Sequence, residues 1–270
     1  MLDTSLRPLK DRLLAPLLCS TNLIPPFVHP LHITLLALLA GLLSCYVAAS
    51  GPRAVPFLLL VLPPGTAEAA STSLFLLNRL LDSLDGALAR QRGLQSELGG
   101  FLDLLCDFVV YALVPICVGV GRGTSTSSSS SSSSSSGGVG TPFLSNLWLS
   151  ISLLEASFYL NNFVLFYSAA VLAKLSRSPP SQGQIHLTSL PLRPALVEGF
   201  ESAVFFALML FFPARLAPLA WAMSLLVFAG TVQRVVWLSR VLVAAGEGNG
   251  REGKRREEKG REGKRGPLAR

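Results

Sequence analysis

A chain of 270 residues that is half hydrophobic and only 14% charged, with a mean hydropathy of +0.50, cannot coat a soluble domain, whose surface needs about a quarter charged residues. Composition therefore excludes an ordinary soluble enzyme and predicts an all-α polytopic membrane protein. The net charge of +7 then points to a lipid surface as its partner and not to nucleic acid.

In chain order, residues 1–31 form an N-terminal segment in which Leu2, Leu6, Leu9, Leu13 and Leu17 recur at helical spacing among Asp3, Arg7, Lys10, Asp11 and Arg12. That pattern predicts an amphipathic helix lying in the membrane interface, with a soluble arm as the alternative. Asp3 and Asp11, with no compact apolar core ahead of a small-residue site, argue against a cleavable signal peptide.

Six apolar runs long enough to cross a bilayer predict transmembrane helices at about 32–50, 67–85, 98–120, 142–173, 195–213 and 217–239, inside a membrane domain over 32–243. The run Val55 to Leu62 is cut off by Pro63-Pro64-Gly65 and reads as a re-entrant turn or an insertion. Residues 124–140, nearly all Ser and Gly, predict a disordered loop. The segment 244–270 carries nine Lys or Arg against five Glu and predicts a basic, disordered tail.

Arg7, Lys10, Arg12, Arg90, Arg92, Lys174, Arg177, Arg193 and Arg240 fall on one side of a six-span topology. Only Arg53, Arg122 and Arg215 fall on the other, so both termini are expected in the cytoplasm. Cys19, Cys45, Cys106 and Cys117 show no C-x-x-C pair and read as small buried residues. His29 and His32 read as interfacial side chains ahead of a metal pair. Asn78, Arg79 and Glu155 are polar groups inside spans to which spacing assigns no role.

One stretch stands apart. Asp82 and Asp85 lie three residues apart at the end of the second span, and Asp103 and Asp107 lie four apart at the start of the third. Each pair shares a helical face, and a charge at membrane depth costs about 2.5–3.5 kcal/mol, which favours a functional cavity over packing. Four carboxylates brought to one volume repel one another unless cations fill it, and hard oxygen donors suit two ions of magnesium or manganese. Gly86, Ala89, Gly99 and Gly100 keep bulk away from the space where a nucleotide would lie, although a membrane glycine more often serves helix contact. Arg90, one turn beyond Gly86, suits a phosphate or one of the aspartates.

Written out, Asp82-x-x-Asp85-Gly86-x-x-Ala89-Arg90, eight residues, Gly99-x-x-x-Asp103-x-x-x-Asp107 resembles without exception the signature of the CDP-alcohol phosphatidyltransferase family. The opening seventeen residues, "FLLNRLLDSLDGALAR" and "ALVEGFESAVFFALMLFFP" look like a bacterial-type branch of that family without an assigned substrate. Many members carry Pro-Asn-x-x-Thr before the first span; Pro30-Leu31-His32-Ile33-Thr34 keeps the Pro and the Thr. The resemblance implies phospholipid synthesis with a CDP-linked donor, expected to be CDP-diacylglycerol, and a small alcohol acceptor. By it, Asp82, Asp85, Asp103 and Asp107 hold two Mg2+ or Mn2+ ions. Asp82, Asp85, Gly86, Ala89, Arg90, Gly99 and Asp103 bind the CDP group, and Asp107 is also the base. Members are often homodimers.

Phe108 stands where members using anionic acceptors often carry Lys or Arg, which weakens a phosphorylated acceptor. Arg193, Glu198 and Glu201 are candidates for the acceptor pocket; interfacial charges satisfied by lipid or by Arg234 are an equal alternative. Transfer from CDP-choline or CDP-ethanolamine to diacylglycerol is the competing reading within the family. A cation-coupled transporter competes from outside it, but that reading predicts an internal repeat, and the chain has none in view.

Overall fold

The computed structural model describes residue 25 and residues 27–50, 67–127, 146–175 and 199–264. Among these there are six α-helices, α1 (Pro30–Ser50), α2 (Ala67–Arg92), α3 (Glu97–Ser127), α4 (Leu147–Leu175), α5 (Gly199–Phe211) and α6 (Leu216–Lys264), with a single 3-10 turn at Pro213–Arg215. All six coincide with the expected apolar runs, so the all-α class holds. The interfacial helix of residues 1–24, the run at 55–65 and most of the Ser-rich segment lie outside the described residues.

Among the described residues, four stretches are long and apolar enough to cross a membrane: Pro30–Ser50, Glu97–Arg122, Leu147–Ala173 and Pro213–Val243. The other two helices fall short for different reasons. α2 has the length, with 26 residues, but Arg79, Asp82 and Asp85 interrupt its apolar run. α5 is apolar and has only 13 residues. Two boundaries also move. α3 continues to Ser127 and α6 to Lys264, past the residues 124 and 244 at which disorder is expected. A helix once nucleated adds residues cheaply, and Glu precedes Arg by four at 252/256 and 257/261, a spacing that favours helix.

α1 is the wedge of the fold. It packs along both α2 and α3, while α2 and α3 barely approach one another. The contact with α2 is stitched by polar groups, as suits a bundle in lipid. The Ser44 hydroxyl donates to the Ser71 carbonyl at 2.8 Å, Ser71 returns the bond to the Ser44 carbonyl at 3.1 Å, and Asn78 Nδ2 donates to the Ala37 carbonyl at 2.7 Å. The contact with α3 needs absent side chains. A Cβ on Gly41 would lie 2.5 Å from a Val110 methyl, and one on Gly121 would strike the Ala48 carbonyl.

α5 carries Phe206 into the centre. The ring is fully buried and stacks on Tyr111 of α3 at 4.9 Å and on Phe158 of α4 at 5.9 Å, and it meets Phe75 of α2 edge-on at 6.3 Å. Val110, Val114, Leu154, Met209, Leu216, Ala220 and Met223 complete the core around it. α4 and α6 pack on each other to one side, with Arg234 Nη1 donating to Asn161 Oδ1 at 2.7 Å. Outward, Leu35, Leu36, Leu39, Phe163, Phe166, Leu225 and Phe228 leave apolar faces exposed, the surface a bilayer covers.

Candidate active site

Two local devices hold the aspartate pairs in place. α2 ends at Gly93, whose φ of 65° is the left-handed conformation that costs glycine least. Leu94 N–H donates to the Ala89 carbonyl at 3.0 Å and Gly93 N–H to the Arg90 carbonyl at 3.3 Å, a Schellman closure. Ser96 then caps α3, its hydroxyl oxygen accepting from Gly99 N–H at 3.0 Å, with Glu97 favourably placed in the positive first turn. The chain thus reverses within residues 93–96, and α3 starts back with α1 between it and α2.

Another device fixes the approach to α1. Pro30 occupies the helix's first position, and His29 Nδ1 accepts from Leu31 N–H at 3.3 Å while His32 Nδ1 accepts from His29 N–H at 3.2 Å. The two histidines cap a helix, in keeping with their interfacial reading. Arg92, from the end of α2, ties this turn down through the Val28 carbonyl at 2.6 Å and the Pro25 carbonyl at 3.3 Å.

Because α1 props α2 and α3 apart, the aspartates face a gap between the two helices. Asp85 is 4% exposed and accepts the Thr34 hydroxyl at 2.5 Å. The Thr retained in the Pro30 to Thr34 stretch therefore orients an aspartate. Asp82 and Asp103 lie within hydrogen-bonding reach of each other, and Asp103 Oδ1 is buried with no hydrogen-bond partner. Asp107 Oδ1 accepts from Arg79 Nη2 at 2.6 Å, and Arg79 Nη1 stands 3.8 Å from Asp82.

Arg79 is the residue that spacing did not place. Its Nη1 donates to the Tyr111 hydroxyl at 2.8 Å, its Nε to Asn78 Oδ1 at 2.8 Å, and its guanidinium lies 4.9 Å from the Tyr111 ring centre. The signal in the sequence is weak: Arg79 precedes Asp82 by one helical turn, but its bond to Asp107 crosses 28 residues. One buried guanidinium cannot neutralise four carboxylates, so the gap keeps an excess of negative charge.

That surplus fits a divalent cation. Asp103 Oδ1 is an anionic oxygen buried without a donor, which is costly unless a cation meets it, and the donor set is all carboxylate, as magnesium and manganese prefer. No group of three or more Asp, Glu, His or Cys among the described residues already stands in a metal-holding arrangement. Asp107 is turned onto Arg79.

The remaining site candidates divide. Gly86 and Ala89 flank the gap, with Arg90 folded back so that a Cβ on Gly86 would meet its Nη1 at 3.4 Å. Gly99 and Gly100 open the first turn of α3. Arg193 and Glu198 lie outside the described residues. Glu201 opens α5, but its neighbour Ser202 is the one that reaches a cavity beside the site.

That cavity, of about 400 Å³, lies between α3, α4, α5 and α6 and is lined by Asp107, Phe108, Glu155, Phe158, Asn161 and Arg234 among others. Asp107 thus has two neighbourhoods: the aspartate gap with Arg79, and this chamber.

Comparison with known proteins agrees with the motif. The family described as CDP-alcohol phosphatidyltransferase matches residues 27–174, more than half of the chain, and it comprises phosphotransferases for substituted phosphate groups. The inner membrane protein YnjF of Escherichia coli strain K12 is 44% identical over 115 residues, 43% of this chain and 47% of that protein. The aligned stretch therefore spans about half the length of that relative. No solved structure matches the chain. The matched region contains α1, α2, α3 and nearly all of α4, and with them all four aspartates: this integral membrane protein belongs to the CDP-alcohol phosphatidyltransferase family.

Proposed function

We propose that the protein transfers a phosphatidyl group from a CDP-linked donor, CDP-diacylglycerol, to the hydroxyl of a small alcohol, releasing CMP. The observation that carries this reading is the convergence of four aspartates from two helix ends on a gap that holds a buried, unpartnered carboxylate oxygen. Asp82, Asp85 and Asp103, with Asp107 at the edge, would hold two Mg2+ or Mn2+ ions, which supply charge neutralisation of the donor diphosphate. Gly86, Ala89 and Gly99 leave room for the cytidine, and Arg90 adds a cation for phosphate.

In the transfer, the acceptor oxygen bonds to the phosphorus that carries the diacylglycerol, and the bond from that phosphorus to the bridging oxygen breaks. CMP leaves with that oxygen and its electron pair. The acceptor proton passes to Asp107, which borders both the aspartate gap and the chamber. Positioning and electrostatics do most of the work in such transfers, and Arg79 keeps the base aimed. Counting α2 and α5 as crossings alongside the four longer apolar stretches, a six-span topology puts both termini and the aspartates on the cytoplasmic side.

The test is metal-dependent release of CMP by the purified full chain from radiolabelled CDP-diacylglycerol with a panel of alcohols, and from CDP-choline with diacylglycerol in parallel. CMP release that requires magnesium or manganese is expected from CDP-diacylglycerol. Absence of metal-dependent CMP from every CDP donor would overturn the reading.

A further inference from the structure

The chamber next to Asp107 contains charges in two different states. Arg234 is engaged in part: its Nη1 donates to Asn161 Oδ1 at 2.7 Å, and Thr231 Oγ1 reaches the same oxygen at 3.4 Å, while its Nε is buried with no hydrogen-bond partner among the described residues. Glu155 is uncommitted. It sits in the apolar stretch Leu147–Ala173 of α4, lines the chamber, and makes no hydrogen bond or ion pair with any described residue. A carboxylate inside a membrane-spanning helix normally faces a cavity and a partner, and here the cavity is present while no described residue pairs with Glu155.

The walls around it point the same way. Phe108, Phe158 and Tyr159 line the chamber with Glu155, and aromatic rings beside a carboxylate form the surroundings that attract an ammonium group. An anionic acceptor would meet Glu155 and Asp107 as like charges, against one cation, Arg234, among the lining residues.

We infer that the chamber binds the acceptor as an amino alcohol, its ammonium group against Glu155 and its hydroxyl toward Asp107. This assignment rests on the transfer reaction proposed above and narrows its acceptor from any small alcohol to a cationic one. Glu155 acts as a specificity residue and takes no part in the proton transfer.

The experiment uses the full chain in phosphatidylcholine vesicles with CDP-diacylglycerol and manganese. CMP release is followed with ethanolamine and serine, with ethylene glycol and glycerol as neutral alcohols of similar size, and with glycerol phosphate as the anionic one. An amino alcohol is expected to exceed its neutral counterpart by at least about 10-fold in kcat/KM. Glu155→Gln, which keeps size and removes charge, narrows that ratio by about 10- to 100-fold, the scale of one charge-assisted contact, and Glu155→Asp retains most of it. The ratio is read on whatever fraction of the variant folds, and if none does, the panel on the unaltered chain decides. A preference for neutral or anionic alcohols, or an unchanged ratio in Glu155→Gln, overturns the amino alcohol and leaves the transfer reaction standing. No metal-dependent CMP with any acceptor overturns both.

Discussion

Asp107 divides the molecule into two regions with opposite designs. On the α2 side it faces like charges held together by sequence-local devices: a glycine closure, a serine cap and helical spacing of three and four. On the α4 and α6 side it faces aromatic rings, amides, the Arg234 guanidinium and one lone carboxylate, brought together only by the packing of helices distant in the chain. The first is a charge cage suited to a diphosphate with its metals; the second is a shaped chamber suited to a small organic group. Chemistry that recurs across a family can be written in short-range spacing, whereas specificity that differs between members is left to tertiary packing.

The sharpest way to break this comparison is Asp107→Asn, since Asp107 is the one of the four aspartates that borders both regions. The substitution keeps size and removes the proton acceptor. Turnover is expected to fall by about 10²- to 10⁴-fold, the usual contribution of a positioned base, while CDP-diacylglycerol still binds within a few-fold. An active Asn variant would remove Asp107 from the chemistry and leave it a structural partner of Arg79.

Arg79→Gln probes the join. Arg79 bonds Asp107 at 2.6 Å and Tyr111 at 2.8 Å, so its loss frees the base and leaves a buried phenol hydroxyl without that donor. A fall of about 10- to 100-fold in kcat is expected, with KM for the donor changed far less, and partial rescue by Arg79→Lys. A change confined to donor KM would place Arg79 with the diphosphate and not with the base.

Legibility follows the same division. Spacing alone singled out the pairs Asp82/Asp85 and Asp103/Asp107 as candidates, because residues three and four apart on a helix share a face whatever the fold does elsewhere. The six helices were equally legible from their apolar runs. The wedge was not: spacing within α2 and α3 carries no sign that α1 packs along both, where Gly41 and Gly121 let its backbone approach α3 closely. Arg79 and Glu155 were visible as polar residues in spans and carried no role, since each owes its meaning to partners 28 or more residues away, Asp107 in one case and the α6 wall of the chamber in the other. Glu198 and Glu201, the acceptor-pocket candidates, stand out in the sequence only because their spacing of three resembles that of Asp82 and Asp85.

Gly41→Ala tests whether the wedge sets the gap. The added methyl would stand 2.5 Å from a Val110 methyl and 3.2 Å from Asn78 Nδ2, and overpacking of this kind costs about 1–3 kcal/mol. A lower melting temperature is expected, with recovery when Val110→Ala is added, because the two sites share one contact. If both single variants melt as the parent does, α1 is not held against α3 as tightly as the wedge requires.

Ser96→Ala carries the smallest expected effect and separates the two regions most finely. The Ser96 hydroxyl accepts from Gly99 N–H at 3.0 Å; removing it strands that donor and loosens the first turn of α3, at a cost of about 1 kcal/mol. Gly99 lies four residues before Asp103, on the side of the aspartate gap, whereas the chamber draws on α3 only from Leu104 onward. Donor binding should therefore weaken by about two- to fivefold with acceptor KM unchanged, measured by titrating each substrate at saturating levels of the other. Equal weakening of both would mean that the start of α3 moves as one body with the chamber, and that the two regions meeting at Asp107 are a single mechanical unit despite their different chemistry.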